Sequence, residues 1–142
     1  MSQYANTKIY EALRDHLVDL TFTPALPIAW PNYDIAGFSG NHLVVSFLPM
    51  RKEQITCGDS GLNRHSGYFQ IDVMWLPGTG SVAVLETAGA IAAHFKRGTV
   101  LPTDLGHVRI IHPPLEVGPV QERPLAMYPV SVRYQMDTSN PA

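Results

Sequence analysis

Residues 67–76 constrain the fold more than any other part of the chain, because their apolar and polar side chains alternate. Successive side chains of a β-strand point to opposite faces of a sheet, so this pattern predicts a strand with one buried and one solvated face. The side chains predicted to be buried are Phe69, Ile71, Val73 and Trp75.

A helix is predicted directly after this strand. The turn Pro77-Gly78-Thr79-Gly80 ends the strand, and Ser81 is a residue type that caps helix N-termini. Lys96 and Arg97 suit the negative end of the helix dipole, and Gly98 suits the left-handed residue just past the last turn. The apolar positions predicted for this helix include Leu85, Ala88, Ile91, Ala92 and Phe95.

An amphipathic helix is also predicted near the N-terminus. From Ile9, apolar residues recur at i, i+4, i+8 and i+11, which places them on one stripe of a helix. Asn6 suits the N-cap, since its side-chain oxygen accepts hydrogen bonds from the free amides of the first turn. The helix is expected to end near Leu20, because Pro24 cannot continue it. Residues 28–30, between prolines, are typical of a short edge strand.

Three more strands are predicted from alternation, at residues 43–48, 108–112 and 128–136. The order of helices and strands predicts an α+β fold with a single, mostly antiparallel β-sheet and two α-helices packed on one face. The sheet would be mixed if the second helix is a crossover that leaves one strand pair parallel.

Long segments between the strands lack a stable period. Residues 50–65 contain glycine and polar residues and predict a long mobile loop, a kind of segment that is often functional. Residues 116–124 predict a second polar loop, and residues 137–142 predict a frayed C-terminus. No linker or repeat divides the chain, so residues 1–142 are expected to form a single domain.

Composition excludes several classes of protein. Net charge is -2 and the longest basic clusters are pairs, so no nucleic-acid-binding face is indicated. Only 15% of residues are charged, against about 25% in typical domains. Cys57 is the single cysteine, which rules out an intrachain disulfide and fits a protein made in a reducing cytoplasm. The N-terminal 20 residues contain no continuous apolar stretch, so neither a signal peptide nor a membrane span is predicted.

Residue types that carry chemistry occur without the spacing that chemistry needs. No two of the six histidines lie at i and i+4 beside an acidic residue, as a zinc protease requires, so no metal site is predicted. Cys57 and His65 could pair as nucleophile and base only if a rigid element fixed their geometry. The turn at residues 77–81 lacks the lysine of a phosphate-binding loop, so no cofactor is predicted.

Several motifs together resemble a family of small phage tail-completion proteins, the tail terminators of siphophages. They are the run Gly67-Tyr-Phe-Gln-Ile-Asp-Val-Met-Trp-Leu-Pro-Gly-Thr-Gly and the helix end Ala93-His-Phe-Lys-Arg-Gly-Thr. Phe47-Leu48-Pro49, Arg109-Ile110 and residues 130–134 follow the same order. The resemblance covers most of the chain and lies in the order of the motifs, since none is chemically diagnostic.

The resemblance implies a virion protein at the head-tail junction, assembled in the cytoplasm of the bacterial host. Copies would form a hexameric ring on the tail tube, stop its polymerisation and offer a surface to head-completion proteins in the neck. DNA would pass through the lumen without sequence-specific contacts, and no membrane is implied as a partner. The resemblance also implies no catalysis and no cofactor.

Two loops and one aromatic residue are the candidate assembly interface. A ring uses contacts between two different patches, and long loops and sheet edges are suitable material for them. The 50–65 loop is expected to reach along the tube axis or into the lumen, to become ordered only on assembly and to make rim contacts. The candidate residues are Trp30, Arg51, Lys52, Glu53, Arg64, Glu116, Gln121, Glu122 and Arg123.

Other functions stay open on sequence alone. A head-closure or adaptor protein would differ from a terminator in its position in the neck. A small hydrolase would require Cys57 and a histidine to converge in a rigid pocket. A monomeric binding module would use the same loops to hold a peptide or small molecule, and would form no ring.

Overall fold

The computed structural model describes residues 4–22, 25–32, 40–59, 61–120 and 125–139. These residues form two helices and seven strands. In chain order the elements are α1 (Ala5–Val18), β1 (Ile28–Ala29), β2 (His42–Gln54), β3 (Leu62–Trp75), α2 (Val82–His94), β4 (Val100–Pro102), β5 (His107–Ile110), β6 (Leu115–Glu116) and β7 (Ala126–Ser139).

The seven strands form one mixed sheet that curls into a half-barrel. Its order is β1-β2-β3-β7-β5-β4, and β6 also pairs with β7. Strand β1 runs parallel to β2, and the other strand pairs are antiparallel. The α+β class and the mostly antiparallel sheet are therefore confirmed. The parallel pair arises at the short β1 and not across α2.

Helix α1 forms on the predicted apolar stripe. Ile9, Leu13 and Leu17 are completely buried, and burial of each side chain stabilises the fold by about 1.5–3 kcal/mol. The prediction that Asn6 is the N-cap is wrong, since the helix begins two residues earlier than that cap implies, at Ala5, and Tyr4 occupies the cap position. Ala5 is buried in the core, which favours its inclusion in the first turn.

Helix α2 follows Ser81 as predicted, although the Ser81 side chain makes no capping hydrogen bond. The prediction that Leu85 is buried is wrong, because Val84 is buried in its place and Leu85 is exposed. The helix is apolar on several faces, so its period could not decide between these neighbouring positions. Gly98 has a positive φ of 97°, which fits its predicted place beyond the helix end.

Both helices contribute buried residues to the hydrophobic core, and so do alternate residues of β2, β3, β5 and β7. We call the side of the sheet that carries these strand residues the inner face. Cross-strand neighbours follow it from strand to strand, as Leu43 pairs with Val73 and Phe69 pairs with Val132. The two helices also touch each other, since the rings of His16 and His94 stack at 3.9 Å.

The predicted loop at residues 50–65 is wrong. Strand β2 continues through Pro49 to Gln54, and β3 begins at Leu62, so most of the segment is a β-hairpin. Every residue of β2 from Leu48 onward is exposed, and without a buried face the sequence has no reason to alternate. The proline is accommodated beside a bulge, where the pairing register shifts between Pro49 and Arg51.

The predicted frayed C-terminus is wrong for residues 137–139, which belong to β7. Thr138 is only 1% exposed, because β3 covers it and pairs with the strand to its end. Glu116, predicted to begin a loop, lies in the short strand β6 beside β7. Residues 140–142 lie outside the described part of the chain.

Candidate assembly interface

A β-hairpin that projects from the sheet carries four of the residues that the sequence singled out. It consists of the last residues of β2 (50–54), the described residues of the tip (55–59 and 61) and the first residues of β3 (62–65), and we call it the arm. Strand β7 runs alongside, since Leu62 pairs with Ser139 and His65 pairs with Met136. A hairpin that shares a third strand is far more stable than an isolated hairpin. The segment is therefore a hairpin and not the predicted loop, and its ordering on assembly stays a prediction.

The outer face of the arm is covered by two ion pairs. Arg51 and Glu53 contact each other along β2. Across the strands, Arg64 donates from Nε to Asp137 Oδ1 at 2.9 Å and from Nη2 to Asp137 Oδ2 at 3.2 Å. The hydrogen bond and the charge of Asp137 raise the pKa of the Arg64 guanidinium above its ordinary value. Both pairs remain largely exposed to water, so each contributes little to folding.

Lys52 lies on the opposite, inner face of the arm, where it pairs with His65. His65 is buried, and its Nε2 and the Thr138 hydroxyl are hydrogen bonded at 2.9 Å. Lys52 itself is exposed, and no carboxylate of the described residues forms an ion pair with it. The structure thus divides the predicted set between two faces, with three paired side chains on one face and a single unpaired cation on the other.

Close packing fixes the base of the arm. Gly67 pairs with Tyr134, whose ring stacks on Phe47 with centroids 5.5 Å apart. A Cβ atom at Gly67 would collide with the Leu48 carbonyl oxygen and lie 2.6 Å from the Tyr134 hydroxyl. Burial raises the pKa of Tyr134 to about 12, and its hydroxyl has no hydrogen-bond partner among the described residues. Only glycine fits here, so the arm leaves the core at a defined position.

The tip is apolar as well as polar. Ile55 donates its backbone N–H to Leu62 across the hairpin at 2.9 Å. Ile55, Leu62 and Met50 are all exposed. Sequence reasoning did not include them among the candidate interface residues, although large apolar side chains among charged ones were the available signal. Cys57 is exposed in the tip while His65 is buried at the base, so the structure places this thiol and this imidazole in different surroundings.

The arm also has an open strand edge. Strand β1 pairs with β2 only at Leu43 and Val44. From Val45 to Gln54, no described strand covers that side of β2. Such an edge offers backbone amides and carbonyls to a strand from another chain.

The remaining candidate residues lie elsewhere. Trp30 follows β1, packs partly buried against the core and lines a cleft with Tyr10 and Phe47. Glu116 is exposed on β6. Gln121, Glu122 and Arg123 lie outside the described residues. The structure therefore gathers Arg51, Lys52, Glu53 and Arg64 into one projection and places Trp30 and Glu116 on other elements.

Two searches of the described residues concern other kinds of site. Across residues 4–22, 25–32, 40–59, 61–120 and 125–139, no three His, Cys, Asp or Glu side chains form a group that could hold a metal ion. In the same ranges, no helix is long and apolar enough to cross a membrane.

Comparison with known proteins assigns the chain to a family. A search of curated proteins finds no match. One solved structure aligns with a TM-score of 0.72 and 27% identity over 96% of this chain and 96% of its own. The family described as "Phage tail terminator protein" matches residues 8–134, which include most of α1, all of α2, the arm and most of β7. The chain is therefore a member of the phage tail terminator family, a family of structural proteins of phage tails.

Proposed function

We propose that copies of this chain form a hexameric ring that caps the tail tube, stops its polymerisation and offers a docking surface to head-completion proteins. The ring would lie in the virion at the head-tail junction of a siphophage, with DNA passing through its lumen. It would act by contact alone, without catalysis, metal or cofactor. Membership of the terminator family supports this proposal.

The observation that carries the proposal is the arm. Its charged residues lie outside the hydrophobic core. Its apolar residues Met50, Ile55 and Leu62 are exposed, so they do not stabilise the fold by burial. Beside the arm, β7 stays buried at Met136 and Thr138, whereas residues 50–59 of the hairpin are exposed, so burial gives no reason for this part of the hairpin. A projection of this kind with an open strand edge suits contacts between protein subunits.

The geometry of one copy suits a ring. We propose that both helices lie on the same face of the sheet, since both contribute to one core and the rings of His16 and His94 stack. The outer face, with Arg51, Glu53 and Arg64 on the arm, is then open to other proteins. Rim contacts to the tube protein would use these side chains, which exchange their present partners at little cost because they are exposed.

Electron microscopy of lysates from a phage that lacks this gene tests the proposal. Abnormally long tubes, or tails that fail to join filled heads, are the expected result. Normal tails on infectious particles would overturn it. Complementation separates the arm from the fold: a chain in which residues 56–61 are replaced by a two-residue Asn-Gly turn keeps Ile55 opposite Leu62, and should fold and fail to restore tail length. Complementation by the unaltered chain is the control.

A further inference from the structure

Four arginines lie together on the outer face of the sheet, the side opposite the inner face. Side chains alternate between the two faces of a strand, and cross-strand partners share a face, so the register decides the face of each residue. Composition indicated no basic face, because the longest basic clusters along the chain are pairs. Strand pairing brings the four together from β2, β3, β5 and β7. They are Arg51, Arg64, Arg109 and Arg133.

The register places a neutral pair at the centre of the four. Ser66 on β3 and Gln135 on β7 are direct partners on the outer face. In the same row across the sheet, Arg51 is the partner of Ser66 on one side, and Arg109 is the partner of Gln135 on the other. Neighbouring strands lie about 4.8 Å apart, so the backbones of the two arginines are roughly 14 Å from each other.

The other two arginines lie on either side of this row, along the strands. Arg64 is two residues from Ser66 on β3, toward the tip of the arm. Arg133 is two residues from Gln135 on β7, in the opposite direction, because β3 and β7 are antiparallel. The Ser66–Gln135 pair therefore has one arginine on each of its four sides. We call this arrangement the four-arginine site.

A cleft lies over the Ser66–Gln135 pair. Its volume is about 180 Å³, and Arg51, Arg64, Arg133 and His112 line it together with the pair. A water molecule takes about 30 Å³ in the liquid, so the cleft has room for a carboxylate group and the methylenes that carry it. Arg109 lies just outside the cleft, next to Gln135. The arrangement thus combines a concave centre with a further guanidinium beside it.

The four-arginine site has more positive than negative charges. Two of its arginines have a carboxylate partner within the chain, Glu53 and Asp137. The other two, Arg109 and Arg133, are exposed, and neither forms an ion pair with a described residue. Arg133 lies over the ring of Tyr68, 5.9 Å from its centroid, and this cation–π contact favours a position on the outer face. An anion is the group that would complete the site.

The surroundings favour a carboxylate on a protein over the phosphates of DNA, although guanidinium forks match both groups. Glu53 and Asp137 flank Arg64 in the next row of the sheet, so a duplex laid along this face would bring phosphates onto two carboxylates. The net charge of -2 on the whole chain adds to that repulsion. A single acidic side chain over the neutral pair would instead compete with Glu53 for Arg51.

We infer that the four-arginine site binds aspartate or glutamate side chains from an acidic segment of the protein that the outer face contacts in the tail. One carboxylate enters the cleft between Arg51, Arg64 and Arg133, and Arg109 takes a second carboxylate of the same segment. The inference rests on the proposed function for the place of this partner, and it adds the chemistry by which the partner is recognised. The exposed ion pairs of the site exchange for the new ones at little cost.

A labelled hexaglutamate peptide is the probe, and its binding to the full chain at pH 7 is measured by fluorescence anisotropy. Arg109→Gln and Arg133→Gln should each weaken the binding about threefold, and the double variant about tenfold. Arg97→Gln is the matched control, because it removes the same charge from an exposed position after α2 and should have little effect. A labelled hexaglutamine peptide should not bind. Equal weakening by Arg97→Gln, or no saturable binding of hexaglutamate, would overturn the inference.

Removal of a competing carboxylate gives the opposite readout. Glu53→Gln frees Arg51 for the peptide and should strengthen the binding of hexaglutamate about threefold. Glu86→Gln makes the same change of charge at an exposed position of α2 and should leave the binding nearly unchanged. Equal effects of the two variants would mean that net charge attracts the peptide, and the inference would be wrong.

A short DNA duplex is the competing probe. If the duplex binds more tightly than hexaglutamate and Arg133→Gln abolishes that preference, nucleic acid is the ligand and the inference is overturned. Weaker binding of the duplex than of the peptide supports it.

Phage that carry the Arg109→Gln, Arg133→Gln double variant connect the site to the tail. We expect overlong or uncapped tails, with unchanged urea denaturation of the purified chain, whereas Arg97→Gln phage should be normal. If deletion of the gene gives long tubes and the double variant still caps them, the proposed function stands and this inference is wrong. If deletion leaves tails normal, the proposed function fails whatever the peptide shows.

Discussion

His16 and His94 hold the two helices together by a reciprocal contact. Their rings stack at 3.9 Å with an angle of 11° between the planes. His16 Nε2 lies 2.7 Å from the His94 backbone oxygen, and His94 Nε2 lies 2.5 Å from the His16 backbone oxygen. Carbonyl oxygens only accept hydrogen bonds, so each ring donates to the end of the other helix, where carbonyls lack an intrahelical donor.

Loss of this contact should destabilise the fold. His94→Ala removes one ring and leaves His16 without its stacking partner and one of its two hydrogen bonds. We expect the free energy of unfolding, measured by urea denaturation, to fall by about 1–3 kcal/mol. His107→Ala, at an exposed position of β5, is the control and should change it by less than about 0.5 kcal/mol. Equal effects of the two variants would mean that the reciprocal contact is unimportant.

Asp72 should make stability depend on pH. It is 8% exposed, and burial raises the pKa of its carboxyl, while the hydrogen bond from Gln70 Nε2 opposes the rise. The folded chain therefore holds this proton more tightly than the unfolded chain. The stability that Asp72 contributes is fully present below the unfolded pKa and is lost as pH rises through the folded pKa.

Asp72→Asn removes that loss. We expect it to raise the free energy of unfolding at pH 7 and to have no such effect near pH 3. Urea denaturation at a series of pH values measures this. Asp19→Asn, at an exposed position after α1, is the control. A pH profile for Asp72→Asn parallel to that of the unaltered chain would contradict the prediction.

Gly67 should tolerate no side chain. In Gly67→Ala the new methyl group meets the Leu48 carbonyl oxygen, the Tyr134 hydroxyl and the Pro49 Cα. Overpacking of this kind costs about 1–3 kcal/mol, which thermal unfolding would detect. Gly89→Ala offers the opposite case, since nothing lies within 4 Å of its Cβ position in α2, and a gain of about 0.5–1 kcal/mol is expected. A stable Gly67→Ala variant would show that the base of the arm can shift.

The ion pair between Arg64 and Asp137 should matter little for folding. The two side chains are 41% and 34% exposed, so a double-mutant cycle with Arg64→Ala and Asp137→Ala should give a coupling below about 1 kcal/mol that shrinks as salt is added. Such variants leave the fold intact, which makes them suitable for assembly experiments on the outer face. A coupling of several kcal/mol would mean that the arm depends on this pair for its structure.

Sequence reasoning correctly predicted the helices and strands that have one buried face and one face exposed to water. The strand around Ile71 and the stripe of Ile9, Leu13 and Leu17 follow directly from their periods, because the core imposes those periods. In α2 the same reasoning chose Leu85 over Val84. Small and apolar residues occupy most positions around the helix, so its hydrophobic period is weak.

The arm could not be predicted in the same way. From Met50 to Gln54 both faces of β2 are in water, so only cross-strand pairing holds the residues in a strand. Pairing with residues 62–66 is a tertiary property that the segment's own composition does not encode. The structure places Arg51, Lys52, Glu53 and Arg64 on one hairpin, but their division between two faces could be known only from the register.

The bulge beside Met50 governs the direction of the arm independently of its chemistry. Pro49 pairs with Gly67 and Arg51 pairs with Ser66, so Met50 is the extra residue between two consecutive pairs. Removing it would leave every pair beyond in place, with each charge on the same face, while a bulge bends and twists its strand. Insertion or loss of a single codon therefore re-aims the projection without changing the order or the faces of the charges that it carries.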